Sequence, residues 1–169
     1  MRNPLRHIFL FLFFGALQIL FFNQVSLFDL ATPFVFLVVV LMIPFTVPVP
    51  IYYAICFIIG LLMDWFSSPL SMGIHTFSTL LAAGLRRPVM LLSATGSLAK
   101  VGDEFSLYKQ DFLWYVFYLL PLIFVHSLSY FFLEAYSFRY IGWTLLKIVS
   151  STLITFVFSY LICILVYKR

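Results

Sequence analysis

The sequence predicts an all-α, polytopic membrane helix bundle of six spans, folded as a single integral membrane domain over residues 1–169. Three observations predict it. The chain is 64% hydrophobic and only 9% charged, with a mean hydropathy of +1.11, against roughly 45–50% apolar and 25% charged in soluble domains. Its apolar runs are hydrophobic on every face and approach the roughly 20 residues that cross a hydrocarbon core. Its basic residues sit beside these runs, in the alternation that positive-inside orientation demands.

Span 1 covers about 5–22. The basic start Met1-Arg2-Asn3-Pro4-Leu5-Arg6-His7 before an apolar run has the charge pattern of a signal peptide, but no Ala-x-Ala site follows, so it reads as a retained first span. Asn23, Gln24, Ser26, Asp29 and Pro33 close it. The block from Phe34 to Met63 is 30 residues long and carries Pro44, Pro48 and Pro50. Prolines remove backbone donors and disfavour the helical conformation of the preceding residue, which divides the block into short spans 2 (34–47) and 3 (49–64). Both are short for a full crossing, so a re-entrant hairpin and two crossings stay open. Span 4 covers 70–85 and stops at Arg86-Arg87-Pro88; a cytoplasmic connection, 86–111, follows. Span 5 (112–133) contains Pro121, a kink site, and span 6 covers 143–166.

Charge selects six crossings over five. With six and a cytoplasmic N-terminus, Arg2, Arg6, Arg86, Arg87, Lys100, Lys109, Lys168 and Arg169 lie inside, leaving Arg139 and Lys147 outside. With five, the inside keeps only Arg2, Arg6, Arg139 and Lys147. Both termini are therefore expected in the cytoplasm. The net charge of +4 and pI near 9.2 reflect this flanking pattern rather than a nucleic-acid surface. Cys56 and Cys163 stand alone in apolar runs, without metal or redox spacing, and read as buried thiols.

Polar residues recur at helical spacing inside the spans: Ser71, His75 and Thr79 in span 4; His126, Tyr130 and Glu134 in span 5; Lys147, Ser151, Thr155 and Ser159 in span 6. Each series lines one helix face. They can serve as hydrogen-bonding glue between helices. Alternatively Asp64, His75, Glu134, Arg139 and Lys147, all near the outer ends of their spans, form one site. No His-Glu-x-x-His or Gly-x-Ser-x-Gly motif is present, and Asp64 lacks an obvious carboxylate partner. Ser67, Ser68 and His75 fit a serine-rich turn at a helix start better than a catalytic pair. The sequence thus predicts neither catalysis nor a cofactor or metal.

The segment Gly60-Leu61-Leu62-Met63-Asp64-Trp65-Phe66-Ser67-Ser68-Pro69, continuing through Gly73-Ile74-His75-Thr76, resembles the bacterial rod shape-determining protein MreD family, which carries Gly-Leu-x-x-Asp-x-Phe and then Gly and His near the end of its third span. The stretch from His126 through Phe132 and Glu134 to Phe138 is similar to the span 5 exit of one branch of that family. The family glycine is replaced here by a Ser67-Ser68-Pro69 turn. The resemblance implies a fold similar to the substrate-binding subunits of energy-coupling vitamin transporters. It also implies an inner-membrane location and a non-catalytic scaffold role in cell elongation and lateral peptidoglycan synthesis. The implied partners are a single-span MreC-like protein and, in a larger complex, MreB, RodA and penicillin-binding protein 2, with membrane lipid around the bundle. Candidate structural or partner residues are Gly60, Asp64, Phe66, Gly73, His75, His126, Phe132, Glu134 and Lys147. A small-molecule binding or transport subunit is the alternative, with Trp65, Tyr130 and Tyr136 around the outer polar residues as a pocket wall.

Overall fold

Helices account for the chain wherever apolar runs escape proline. The computed structural model describes residues 13–18, 20, 31–67, 72–93, 112–135 and 140–167, and among these there is no β-strand. The first helix, α1, is described at 13–17. It is followed by α2 (Phe36–Leu41), α3 (Val49–Phe66), α4 (Ile74–Ser93), α5 (Phe112–Ala135) and α6 (Ile141–Ile162), the last continuing as a π-helical turn over Cys163–Tyr167. Among the described residues, three helices are long and apolar enough to cross a membrane: Val49–Phe66, Phe112–Ala135 and Ile141–Leu165. Helix α4, at 20 residues, is longer than the first of these and buries His75, Thr76, Ser78, Thr79 and Arg86. Large apolar side chains cover the outside, Phe57, Ile58, Leu61 and Leu62 on α3 and Phe77, Leu81 and Leu92 on α4 among them, while His75, Ser78, Thr79, His126, Ser151, Thr155 and Ser159 are buried. Apolar outside and polar inside is the distribution expected in lipid.

Span 2 is the first correction. Its helix occupies only Phe36–Leu41, six residues, or about 9 Å at 1.5 Å per residue, rather than 34–47. Pro33 and Pro44 bracket it, and Pro44 disfavours a helical Ile43. All six residues are buried, so α2 is a short rod in the centre of the bundle. Helix α3 begins one residue after Pro48 and holds Pro50 in its first turn, where a missing N–H costs nothing. Its buried residues, Tyr52, Cys56, Ile59, Gly60, Met63 and Asp64, follow helical spacing along one face.

Span 4 is the second correction. The helix runs past Arg86-Arg87-Pro88 to Ser93, so the stretch taken as the start of a cytoplasmic connection is helical to residue 93, and Arg86 is buried. An arginine is tolerated there because the bundle supplies acceptors. Its Nε–H donates to the Tyr118 hydroxyl at 2.8 Å and its NH2 group to the Ile43 carbonyl, while the Phe45 and Tyr52 rings lie 3.9 and 4.7 Å from its central carbon. In α5, Pro121 leaves the Phe117 carbonyl without its intrahelical donor. The Ser93 hydroxyl stands 2.9 Å from it, shared with the Val89 carbonyl at 2.7 Å, and the helix continues.

Candidate functional site

The resemblance motif lies at the junction of α3 and α4. Gly60 and Asp64 are one turn apart on the buried face of α3, and both meet the first turn of α4. A Cβ on Gly60 would stand 2.5 Å from the Thr76 Cα and 3.1 Å from its N, so only glycine lets the two backbones approach this closely. Asp64 Oδ1 accepts the His75 backbone N–H at 2.8 Å, and Oδ2 accepts the Thr76 N–H at 3.0 Å and the Thr76 hydroxyl at 2.5 Å. These are the second and third residues of α4, the positions that an N-cap serves. Here the cap comes from the end of another helix. The carboxylate also lies at the positive end of the α4 dipole. Gly73, with φ +89°, makes the left-handed turn that points α4 into this cap; a side chain there would have space but not the conformation.

One turn further inward, ring side chains enclose the start of the α2 segment. The Phe34 ring lies 4.8 Å from His126, 5.0 Å from Tyr130, 5.9 Å from His75 and 6.0 Å from Phe131. His75 is 4.5 Å from Tyr130 and 6.4 Å from His126. Both ring nitrogens of His126 and Nδ1 of His75 are buried without a hydrogen-bond partner. Among the described residues no three His, Cys, Asp or Glu side chains come together as metal ligands. The two imidazoles pack edge-on against Phe34 and Phe36.

Backbone ends of α2 are met by side chains from α1, α4, α5 and α6. Gln18 Oε1 accepts the Val35 and Phe36 N–H groups at 2.7 and 3.4 Å, and its Nε2 donates to the Pro33 carbonyl at 2.9 Å. The Thr155 hydroxyl accepts the Phe34 N–H and the Ser151 hydroxyl the Thr32 N–H, each at 2.9 Å. At the other end the Tyr118 hydroxyl donates to the Leu41 carbonyl at 2.9 Å, beside Arg86 on Ile43. Irregular backbone at membrane depth is tolerated where protein satisfies it, and these polar residues do that work.

Comparison with known protein families, curated proteins and solved structures finds no match to this chain.

The remaining candidate residues at this end of the bundle face a different feature. Glu134 and Lys147 line an open groove of about 230 Å³ between α5 and α6, with Phe131, Ala135, Tyr140, Trp143 and Thr144. Tyr130 lies one turn before Glu134 on α5, so the groove adjoins the ring cluster. Asp64, His75, Glu134 and Lys147 lie toward one end of the bundle, at the end of α3, the start of α4, the end of α5 and the start of α6, but Asp64 is committed to α4. Arg139 and Tyr136 lie outside the described residues. Phe66 and Trp65 are exposed on α3, and Phe132 packs partly against the core. Sequence reading missed Gln18, whose amide inside an apolar run was the available signal, missed Tyr118, and placed Arg86 at the stop of span 4 without its partners.

Proposed function

We propose that this chain is a non-catalytic membrane scaffold of the bacterial cell-elongation complex, similar to MreD proteins, acting through a single-span MreC-like partner in the inner membrane. One observation carries the reading: the polar groups of the resemblance motif are spent on joining α3 to α4, with Asp64 holding three donors of α4. A motif so committed serves architecture, and its influence on other molecules passes through the exposed helix faces. The broad apolar outside of α3, with Ile58, Trp65 and Phe66, suits helix–helix contact within the bilayer. Larger assembly with MreB, RodA and penicillin-binding protein 2 follows from the same resemblance.

The test is purification in mild detergent from a rod-shaped bacterium. An MreC-like single-span protein should copurify, and depletion should turn rods into spheres. A second reading, a small-molecule binding subunit, is favoured by the groove at Glu134 and Lys147, whose opposite charges and aromatic wall suit a polar solute. A retained vitamin-like solute and an ATPase module, with cell shape unchanged on depletion, would establish that reading and sink the scaffold.

A further inference from the structure

Opposite the motif, at the end of the bundle where α3 begins, Arg86 and Arg87 line a recess of about 40 Å³ with Phe45, Val47, Val49, Tyr52, Tyr53, Ala83 and Gly84. A guanidinium has five N–H donors. Arg86 uses two, on Tyr118 and Ile43, and Arg87 makes no hydrogen bond or ion pair with any described residue. The described carboxylates are Asp64 and Glu134, and both are far away. Asp64 is twelve residues along α3 from Tyr52, about 18 Å; Glu134 is sixteen along α5 from Tyr118, about 24 Å. Two adjacent cations, one of them 97% removed from solvent contact by its 3% exposure, therefore lack an anion among the described residues. A buried charge without a counter-charge is costly.

We propose that this recess binds a phosphate group, presented by the head group of an anionic lipid. The arginine fork suits phosphate oxygens, and basic pockets between helices at a membrane face suit anionic head groups. The recess is large enough for the phosphate oxygens alone, so the rest of the ligand lies outside it. Its surroundings decide the source: Val49, Ile51 and Leu85 are exposed beside it, which places acyl chains, not solvent, against the bound group. Arg86 also holds the carbonyl end of α2, so an anion here is coupled to the central helix and should raise the unfolding temperature.

The full-length chain in neutral detergent micelles is titrated with phosphatidylglycerol, phosphatidylcholine and inorganic phosphate while thermal unfolding is followed. Phosphatidylglycerol should raise the midpoint and phosphatidylcholine should not. Arg87→Gln, at an exposed position, should need at least tenfold more phosphatidylglycerol for the same rise; Arg87→Lys, keeping charge without the fork, should fall between. An equal rise with inorganic phosphate would keep the phosphate site and overturn the lipid source. No rise with phosphatidylglycerol, or a rise that Arg87→Gln retains in full, would overturn the site.

Discussion

At the scale of single residues, the α3–α4 junction separates two kinds of requirement. Asp64 is needed for what it accepts and Gly60 for the atoms it lacks. Asp64→Ala strands two backbone donors and a hydroxyl in a buried site, a loss of about 2–4 kcal/mol given ~1–3 kcal/mol for each buried unsatisfied group and partial relaxation. Gly60→Ala forces a methyl into the α4 backbone and should cost about 1–3 kcal/mol by overpacking. Both should lower the detergent unfolding temperature. If Asp64→Ala matched the parent chain in that measurement, the capping role would be wrong. The motif itself was legible as a string of residue types. Its function was not, because Asp64 serves residues 11 and 12 positions later, across a connection whose closure no local pattern reports.

At the scale of elements, α2 is the least autonomous helix. Six residues rich in valine cannot hold a helix by propensity, so its ends are fixed from outside. Thr155→Val keeps shape but removes the acceptor of the Phe34 N–H, and should destabilise by about 1–3 kcal/mol; Thr155→Ser should restore most of it. Equal melting of the two variants would show that Phe34 finds another acceptor. Proline positions made the break between α2 and α3 readable, since Pro44, Pro48 and Pro50 act through local geometry. The true length of α2 was not readable, because hydropathy sees Phe34 to Val47 as one apolar run. The end of α4 was misread for the converse reason: Arg86-Arg87-Pro88 stops a helix that must satisfy itself, and here Tyr118 and Ile43 take the buried guanidinium. The polar face of α6 was read correctly at Ser151, Thr155 and Ser159, all fully buried.

For the whole molecule, composition alone made lipid the solvent, and the outward apolar surface agrees with that. Orientation is a separate matter that charge bias addresses. Cysteines placed singly at Ser97 and Ser137, in a chain lacking Cys56 and Cys163, should react with an impermeant reagent from opposite sides of the membrane. Reaction from the same side would end the six-crossing topology. Both native cysteines are fully buried, so small replacements at them are needed mainly to remove background.

The central placement of α2 also sets an order of events during synthesis. Its segment leaves the ribosome before nearly everything that completes it: Arg86 follows Ile43 by 43 residues, Tyr118 follows Leu41 by 77, and Ser151 and Thr155 follow Thr32 and Phe34 by 119 and 121. Until α6 emerges, the Thr32 and Phe34 amides have no hydroxyl to meet, and exposure of such groups to hydrocarbon is prohibitive. The nascent chain must therefore keep this segment at the water boundary, or inside the insertion channel, and draw it into the middle only when α6 arrives. Helix α6 is thus the one that releases α2 into place, and the centre of the bundle settles after its surroundings.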